Sequence, residues 1–206
     1  MPWNAAAPGS RTIANPQPTG EAARIAAEAD ADLVVRAQGG DRAAFGILVD
    51  RYAAAVRRVA RAVLNDPDDA DDAAQDAFLS AMVHLKQYDP RRPFGPWLTR
   101  IAVNAATDRR RRRGVRRAEP LTGHLPAHGI LPDADADRRA LGERLRQALA
   151  ELSERRRTAV VLFDVEGYTH AEIGHILGVP EGTVRSEVFH ARRALRVLLS
   201  DWKDKG

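Results

Sequence analysis

THAEIGHILGVPEGTVRSEVFHARRALR, residues 169–196, decides the fold of this chain, because it spells two short helices joined by a tight turn. Thr169 and Glu172 have the S/T-x-x-E spacing of a capping box, which predicts a helix start there. Ile173, Ile176 and Leu177 then form an apolar stripe at helical spacing, and Gly178 supplies the left-handed residue that ends a helix. A second helix opens around Pro180, a residue tolerated in a first turn. Its apolar positions Val184, Val188, Ala191, Leu195 and Leu198 share one face. This is the pattern of a helix-turn-helix, whose second helix can enter a DNA major groove.

With that stripe turned inward, the outer face carries Arg185, Ser186, Phe189, His190 and Arg193. Arginine can contact guanine with two hydrogen bonds, and an apolar ring can cover a thymine methyl. Each good pair is worth ~1–3 kcal/mol of discrimination. A surface helix with solvated arginines and a core Phe189 would produce the same pattern, so the rest of the chain has to arbitrate.

Composition narrows the options. At 206 residues, 44% hydrophobic and 29% charged, the chain has the make-up of a soluble protein of one domain or two small ones. Aromatics are only 5%, so the core must be mostly Ala, Leu and Val, which favours helix. The net charge is only +4, but it is segregated: Asp66 to Asp76 holds six aspartates and no cation, and Arg109 to Arg117 holds seven arginines. That separation predicts one basic partner and one polyanionic partner. With no cysteine, disulfides, thiolate catalysis and zinc–thiolate sites are excluded. No apolar run approaches ~18 residues and no secretory h-region is evident, so the expectation is a cytoplasmic protein with no membrane partner.

Residues 1–29 are mostly Ala, Pro, Gly and polar, with almost no large apolar side chains, and read as a disordered tail. Leu33, Val34 and Ala37 then predict a short helix stopped by Gly39-Gly40, and Asp41 can cap the next, with Phe45, Leu48, Val49, Tyr52, Val56, Val59 and Val63 at helical period. Asn65-Asp66-Pro67 ends it. A third helix from about Asp68 to Gln87 buries Ala74, Phe78, Ala81 and Leu85. The Pro- and Arg-rich loop Tyr88 to Gly95 leads into a fourth, which buries Trp97, Leu98, Ile101 and Ala105 and runs into the arginine block. Residues 114–138, with three prolines and three glycines, read as a flexible linker. Helical pattern returns at Leu141, Leu145, Leu149 and Leu152, and Ser153 can cap a further helix with Val160, Val161 and Phe163 inward. The predicted fold class is all-α: two small helical domains, 30–113 and 139–206, the second a helix-turn-helix.

Several of these segments together resemble one family. Gly40-Asp41-x-x-Ala44-Phe45, Arg51-Tyr52, Asp72-x-x-Gln75-x-x-Phe78-Leu79 and Phe94-x-x-Trp97-Leu98-x-x-Ile101-Ala102-x-Asn104 are similar to region 2 of the extracytoplasmic-function (ECF) sigma factors of bacterial RNA polymerase. Leu152-x-Glu154-Arg155, Glu166-Gly167-Tyr168, Glu172-Ile173-x-x-Ile176-Leu177-Gly178 and Gly182-Thr183-Val184-Arg185-Ser186 are similar to their region 4. Both sets, in this order and at this separation, are specific to the family.

The resemblance implies partners for both charge blocks. The acidic helix, with Asp69, Asp72, Gln75, Asp76 and Leu79, would bind the clamp of the RNA polymerase core, although helix N-termini also favour aspartate through the macrodipole. The loop and the fourth helix would read the −10 element as unpaired non-template strand, with Arg91, Arg92, Asn104 and Asp108 in that surface. Trp97 reads as core, since it falls on the Ile101 and Ala105 stripe. Arg111 and Arg112, in the block 109–113, would hold the upstream duplex backbone. Arg185, Ser186, Phe189, His190 and Arg193 would read the −35 element in duplex form. The polymerase flap and an anti-sigma factor are further implied partners. Departures from the family pattern are His190 and Glu187, where many members carry basic residues, Ser153 for a common proline, and Met82 for a common tryptophan.

No catalytic constellation competes with this reading. Asp133-x-Asp135-x-Asp137 has the start of a calcium loop, but Arg138 and Arg144 stand where its glycine and glutamate are required. His170 and His175 point about 140° apart on a helix and cannot form an H-E-x-x-H zinc pair. The expectation is a sigma factor with no cofactor, no metal and no enzymatic activity. A two-domain regulator acting without polymerase is the alternative, and the first domain discriminates between them.

Overall fold

A computed structural model of the chain describes residues 20–116 and 134–200, with side chains over 29–113 and 140–200. It is all-α: α1 (Gly20–Gln38), α2 (Arg42–Leu64), α3 (Pro67–His84), α4 (Phe94–Arg116), α5 (Ala134–Ala150), α6 (Glu154–Val160), α7 (His170–Leu177) and α8 (Glu181–Ser200). A 3₁₀ turn, Leu85–Gln87, follows α3, and a π turn, Val161–Val165, follows α6.

The boundaries follow local chemistry. Asp41 caps α2 by accepting from the Ala43 and Ala44 amides, and Asn65 ends it in the left-handed conformation at φ 54°. Asp66 repeats the N-cap for α3 with Pro67 in the first turn, so one Asn-Asp-Pro triplet closes one helix and opens the next. The start of α1 differs from expectation. It begins at Gly20, inside the stretch read as disordered tail, because Ala, Glu and Arg favour helix even with few large apolar side chains. Likewise α4 continues to Arg116 and α5 starts at Ala134, both inside the stretch read as linker. Residues 1–19 and 117–133 lie outside the described residues, and with them most of the tail and linker expectations.

In the first half, α1 to α4 close around Val34, Leu48, Val56, Ala77, Phe94 and Leu98. Buried Asp30 accepts from Arg51 and from the Tyr52 hydroxyl, which ties α1 to α2. Gln38 donates to the carbonyls of Leu85 (2.8 Å) and Tyr88 (2.7 Å), fixing the start of the loop before α4.

The two halves do not keep separate cores. Val59, Val63, Ala70, Val103 and Ala106 of the first half pack in one cluster with Leu162, Ile173, Ile176, Val184 and Val188 of the second. Around this cluster Arg58 donates to Glu166 (2.6 Å) and Thr99 Oγ1 meets the Tyr168 hydroxyl (2.9 Å), where burial pushes the Tyr168 pKa up to about 12. Gly95 backs the same contact, since a Cβ there would lie 3.3 Å from the Tyr168 hydroxyl. Arg157, only 7% exposed, reaches from α6 to the carbonyls of Ala62 (2.5 Å) and Val63 (3.5 Å) at the end of α2, and also to those of Leu152 and Ala150. A cation on the carbonyl end of a helix is favoured by the helix dipole.

Candidate nucleic-acid interface

The helix-turn-helix forms as the sequence spells it. Thr169 and Glu172 make both bonds of the capping box, Gly178 takes φ 67°, and Val184, Val188 and Ala191 are buried. Gly174 sets how closely the turn approaches α7, since a Cβ there would lie 2.8 Å from the Val179 carbonyl oxygen. This requirement was legible only as a glycine inside an apolar helix, and the sequence reading passed over it.

The outward face of α8 carries Arg185, Ser186, Phe189, His190 and Arg193, all exposed. Phe189 is 63% exposed, so it is not a core residue, and its ring meets that of His190 edge-on at 5.5 Å. An aromatic at that exposure leaves apolar surface in water, which contact with a thymine methyl would cover. Arg185 is held by Glu181 one turn earlier (2.7 Å). Glu187 turns inward and accepts from Arg156 (3.4 Å), so this departure from the family pattern lies off the reading face.

Phe163 sits at the margin of the core: it packs against the shared cluster but is only half-buried, and the π turn after Val160 leaves Val160, Val161 and Leu162 fully buried while Phe163 also reaches α8. There its ring stacks on His170 at 4.3 Å and lies 4.9 Å below the Arg192 guanidinium, itself paired with Asp164. A groove of about 530 Å³ runs from this platform along Arg185, Phe189, Arg193 and Arg196. The platform was missed because a single π turn leaves no periodicity signal in so short a stretch.

On the first half, α4 and the end of α3 enclose a cleft of about 680 Å³ whose lining includes Asp76, Tyr88, Trp97, Asn104, Asp108 and Arg112. Trp97 is half-buried, its ring tilted against those of Tyr88 (4.5 Å) and Phe94 (5.4 Å), so that it packs on the core and also lines the cleft. Aromatic rings beside amide and carboxylate groups are the equipment of a pocket for an unpaired base. Of the predicted −10 residues, Asn104, Asp108 and Arg112 come together here. Arg91 and Arg92 do not. Arg91 is folded onto Asp89 (2.9 and 3.0 Å), which lowers the Asp89 pKa to about 2, and Arg92 lines a different cleft.

The two opposite charge blocks, expected to serve separate partners, meet each other between α3 and α4. Arg109 binds Asp69 (3.4 Å), Asp72 and Asp76 (3.2 Å), and Arg113 binds Asp66 (2.7 Å) and Asp69 (2.5 Å). Arg113 and the Asp68 and Asp69 amides together hold the Asp66 carboxyl below the usual range, against its partial burial. Arg110 pairs with Glu154 of α6. The block therefore presents Arg111 and Arg112 as its exposed cations, with Arg111 near Asp108 at 3.7 Å. The reason is steric: α3 and α4 pack side by side, so residues 40 apart in sequence become neighbours. On the other side of α3, Gln75, Leu79 and Met82 are exposed, the last two at 53%, around a cleft with Phe45, Phe78 and Arg57. Asp71 and Asp72 line the same cleft, and Asp72 stays 59% exposed while paired to Arg109, so carboxylates and apolar side chains stand together on this face.

Comparison with known proteins places the chain. Residues 48–116 match the model for Sigma-70 region 2, and residues 142–195 match that for Sigma-70 region 4. The chain is 34% identical over 172 residues to the ECF RNA polymerase sigma factor SigW of Bacillus subtilis, covering 79% of this chain and 92% of SigW. It is 39% identical to the ECF RNA polymerase sigma factor SigM of Mycobacterium tuberculosis strain H37Rv, covering 82% and 84% respectively. Among solved structures, CnrH in complex with the cytosolic domain of CnrY matches with TM-score 0.61 and 30% identity, over 84% of this chain and 98% of that one. No helix among the described residues is long and apolar enough to cross a membrane. The chain belongs to the ECF sigma factors of RNA polymerase, within the sigma-70 family.

Proposed function

We propose that this sigma factor recognises its promoters at two places, with residues 30–113 as region 2 and residues 139–206 as region 4. The observation that carries this reading is the face of α8, where Arg185, Ser186, Phe189, His190 and Arg193 stand exposed together on a capped helix-turn-helix. These residues read the −35 element in the major groove, Arg185 and Arg193 through guanine and Phe189 through a thymine methyl. Asn104, Asp108 and Trp97 hold an unpaired −10 base in the α4 cleft, and Arg111 and Arg112 contact the duplex backbone just upstream. Core polymerase engages α3 at Gln75, Leu79 and Met82.

The protein acts in the cytoplasm as a binding factor, with no chemistry of its own, and the polymerase supplies the catalysis. An anti-sigma factor is a natural regulator of such a chain; the similar CnrH was solved in complex with a second protein, the cytosolic domain of CnrY. Because the chain has no cysteine, redox sensing in such a pair would have to reside in the partner.

Transcript starts mapped with core polymerase and this chain on genomic DNA test the reading. Shared sequence at both elements upstream of the starts is expected, with loss of −35 preference in an Arg185→Ala variant. Starts that share no −35 sequence, or an Arg185→Ala variant with unchanged promoter choice, would overturn the assignment of the α8 face.

A further inference from the structure

His84 ends α3 as an exposed residue and lines the same cleft as Trp97, Asn104 and Asp108. Its Nδ1 lies 2.8 Å from the Ser80 carbonyl oxygen one turn back, with the Ser80 hydroxyl farther away at 3.5 Å. A carbonyl oxygen only accepts, so Nδ1 carries the proton of the neutral ring and Nε2 keeps its lone pair. With Nδ1 turned back onto α3, Nε2 points away from the helix. Gln38 fixes the turn directly after His84 through the carbonyls of Leu85 and Tyr88, so the imidazole stands on a rigid support.

Other groups of the lining share this bias toward accepting. Asp76 and Asp108 can only accept when ionised. The Tyr88 hydroxyl already gives its proton to the Arg92 carbonyl, and Arg109 is turned onto Asp69, Asp72 and Asp76. Gln87 and Asn104 can present either a donor or an acceptor, so they do not set a preference by themselves. Adenine, cytosine and guanine each bring an exocyclic amino group that can donate into such a site, and thymine brings none.

We propose that His84 is a specificity-determining residue of this cleft: its Nε2 accepts from the exocyclic amino group of the unpaired −10 base, and the site rejects thymine there. This rests on the reading of the cleft as the −10 pocket given above. A base without that donor leaves the nitrogen unpaired, which for one neutral hydrogen bond weakens binding about fivefold.

The test measures binding of core polymerase carrying the full chain, wild type or His84→Ala, to fork-junction DNA from a mapped promoter. The DNA is duplex through the −35 element and single-stranded over the non-template −10 element. Each −10 position is replaced in turn by the four bases, and by analogues that lack only the amino group, purine for adenine and 2-pyrimidinone for cytosine. At one position, wild type should bind thymine and the amino-less analogues about fivefold more weakly than adenine or cytosine, and His84→Ala should bind them all alike. The same base preference in both proteins would overturn the role of His84. So would a variant that binds every DNA more weakly in equal proportion, because that is the mark of a structural role. A wild-type preference for thymine would overturn the acceptor assignment. If no −10 substitution affected wild type at all, the −10 reading itself would fall, and the role of His84 with it.

Discussion

Replacing Arg157 by methionine isolates the joint between the two halves. The guanidinium is buried without a carboxylate partner, and burial, together with repulsion from Arg110, pushes its pKa below the usual arginine value. It donates to four carbonyls, two at good distance (Ala62 at 2.5 Å and Leu152 at 3.1 Å) and two at 3.5 Å. Hydrogen bonds from a charged donor contribute ~1.5–3 kcal/mol each, and a buried acceptor left unpaired costs ~1–3 kcal/mol. Methionine keeps most of the packing of the stem and avoids the desolvation cost of a buried cation, which offsets part of the loss. The balance is a destabilisation of about 3–4 kcal/mol, since the α2 carbonyls stay buried and lose their donor. For a chain of this size that lowers Tm by about 6–16 °C, measured by circular dichroism. A methionine variant within about 0.5 kcal/mol of wild type would refute the reasoning, because desolvation would then cancel the bonds and Arg157 would not join the halves.

Gly174→Ala should destabilise the helix-turn-helix by about 1–3 kcal/mol, read from urea unfolding, because its Cβ would meet the Val179 carbonyl at 2.8 Å. An unchanged midpoint would mean that the turn yields. Arg185→Ala should lose ~1–3 kcal/mol of discrimination at one −35 base pair in competition binding, and Arg112→Ala should weaken all sequences alike and lower the salt slope by about one. The Asp89 carboxyl should titrate at about 2 by NMR, with Arg91→Ala returning it toward 3.8. Since the folded pKa is depressed, any stability this pair contributes is present above pH 4 and is lost as pH falls toward 2.

Where helix ends are fixed by local chemistry, the sequence was readable to the residue. Thr169, Glu172 and Gly178 act within a few positions of themselves, and Asp41 and the break at Asn65 likewise, whereas α3 starts at Pro67, just before the expected Asp68, with Asp66 as a cap that was read only as part of the break. Ser153 is a counter-example: it sits at the N-cap of α6, but its side chain makes no cap bond. The α8 face was legible because 3.6-residue periodicity separates Val184, Val188 and Ala191 from Arg185, Phe189 and Arg193 whatever the tertiary context. Long-range effects were not legible. Arg109 and Arg113 read as free cations until α3 supplied their aspartates, and Phe163 read as core with no sign that its ring would also stack on His170 and lie under Arg192. The shared core was hidden for a further reason: the single stripe read on α2 serves two cores, Leu48 and Val56 in the first and Val59 and Val63 in the second, and helical spacing does not tell that two partners divide it.

The most direct test of the central claim is run-off transcription by core polymerase on a promoter carrying a mapped start, with and without this chain. The account predicts starts that depend on the chain, and that disappear when either the −10 or the −35 element is scrambled. Initiation that survives scrambling of the −35 element, or no initiation above core alone, would contradict it.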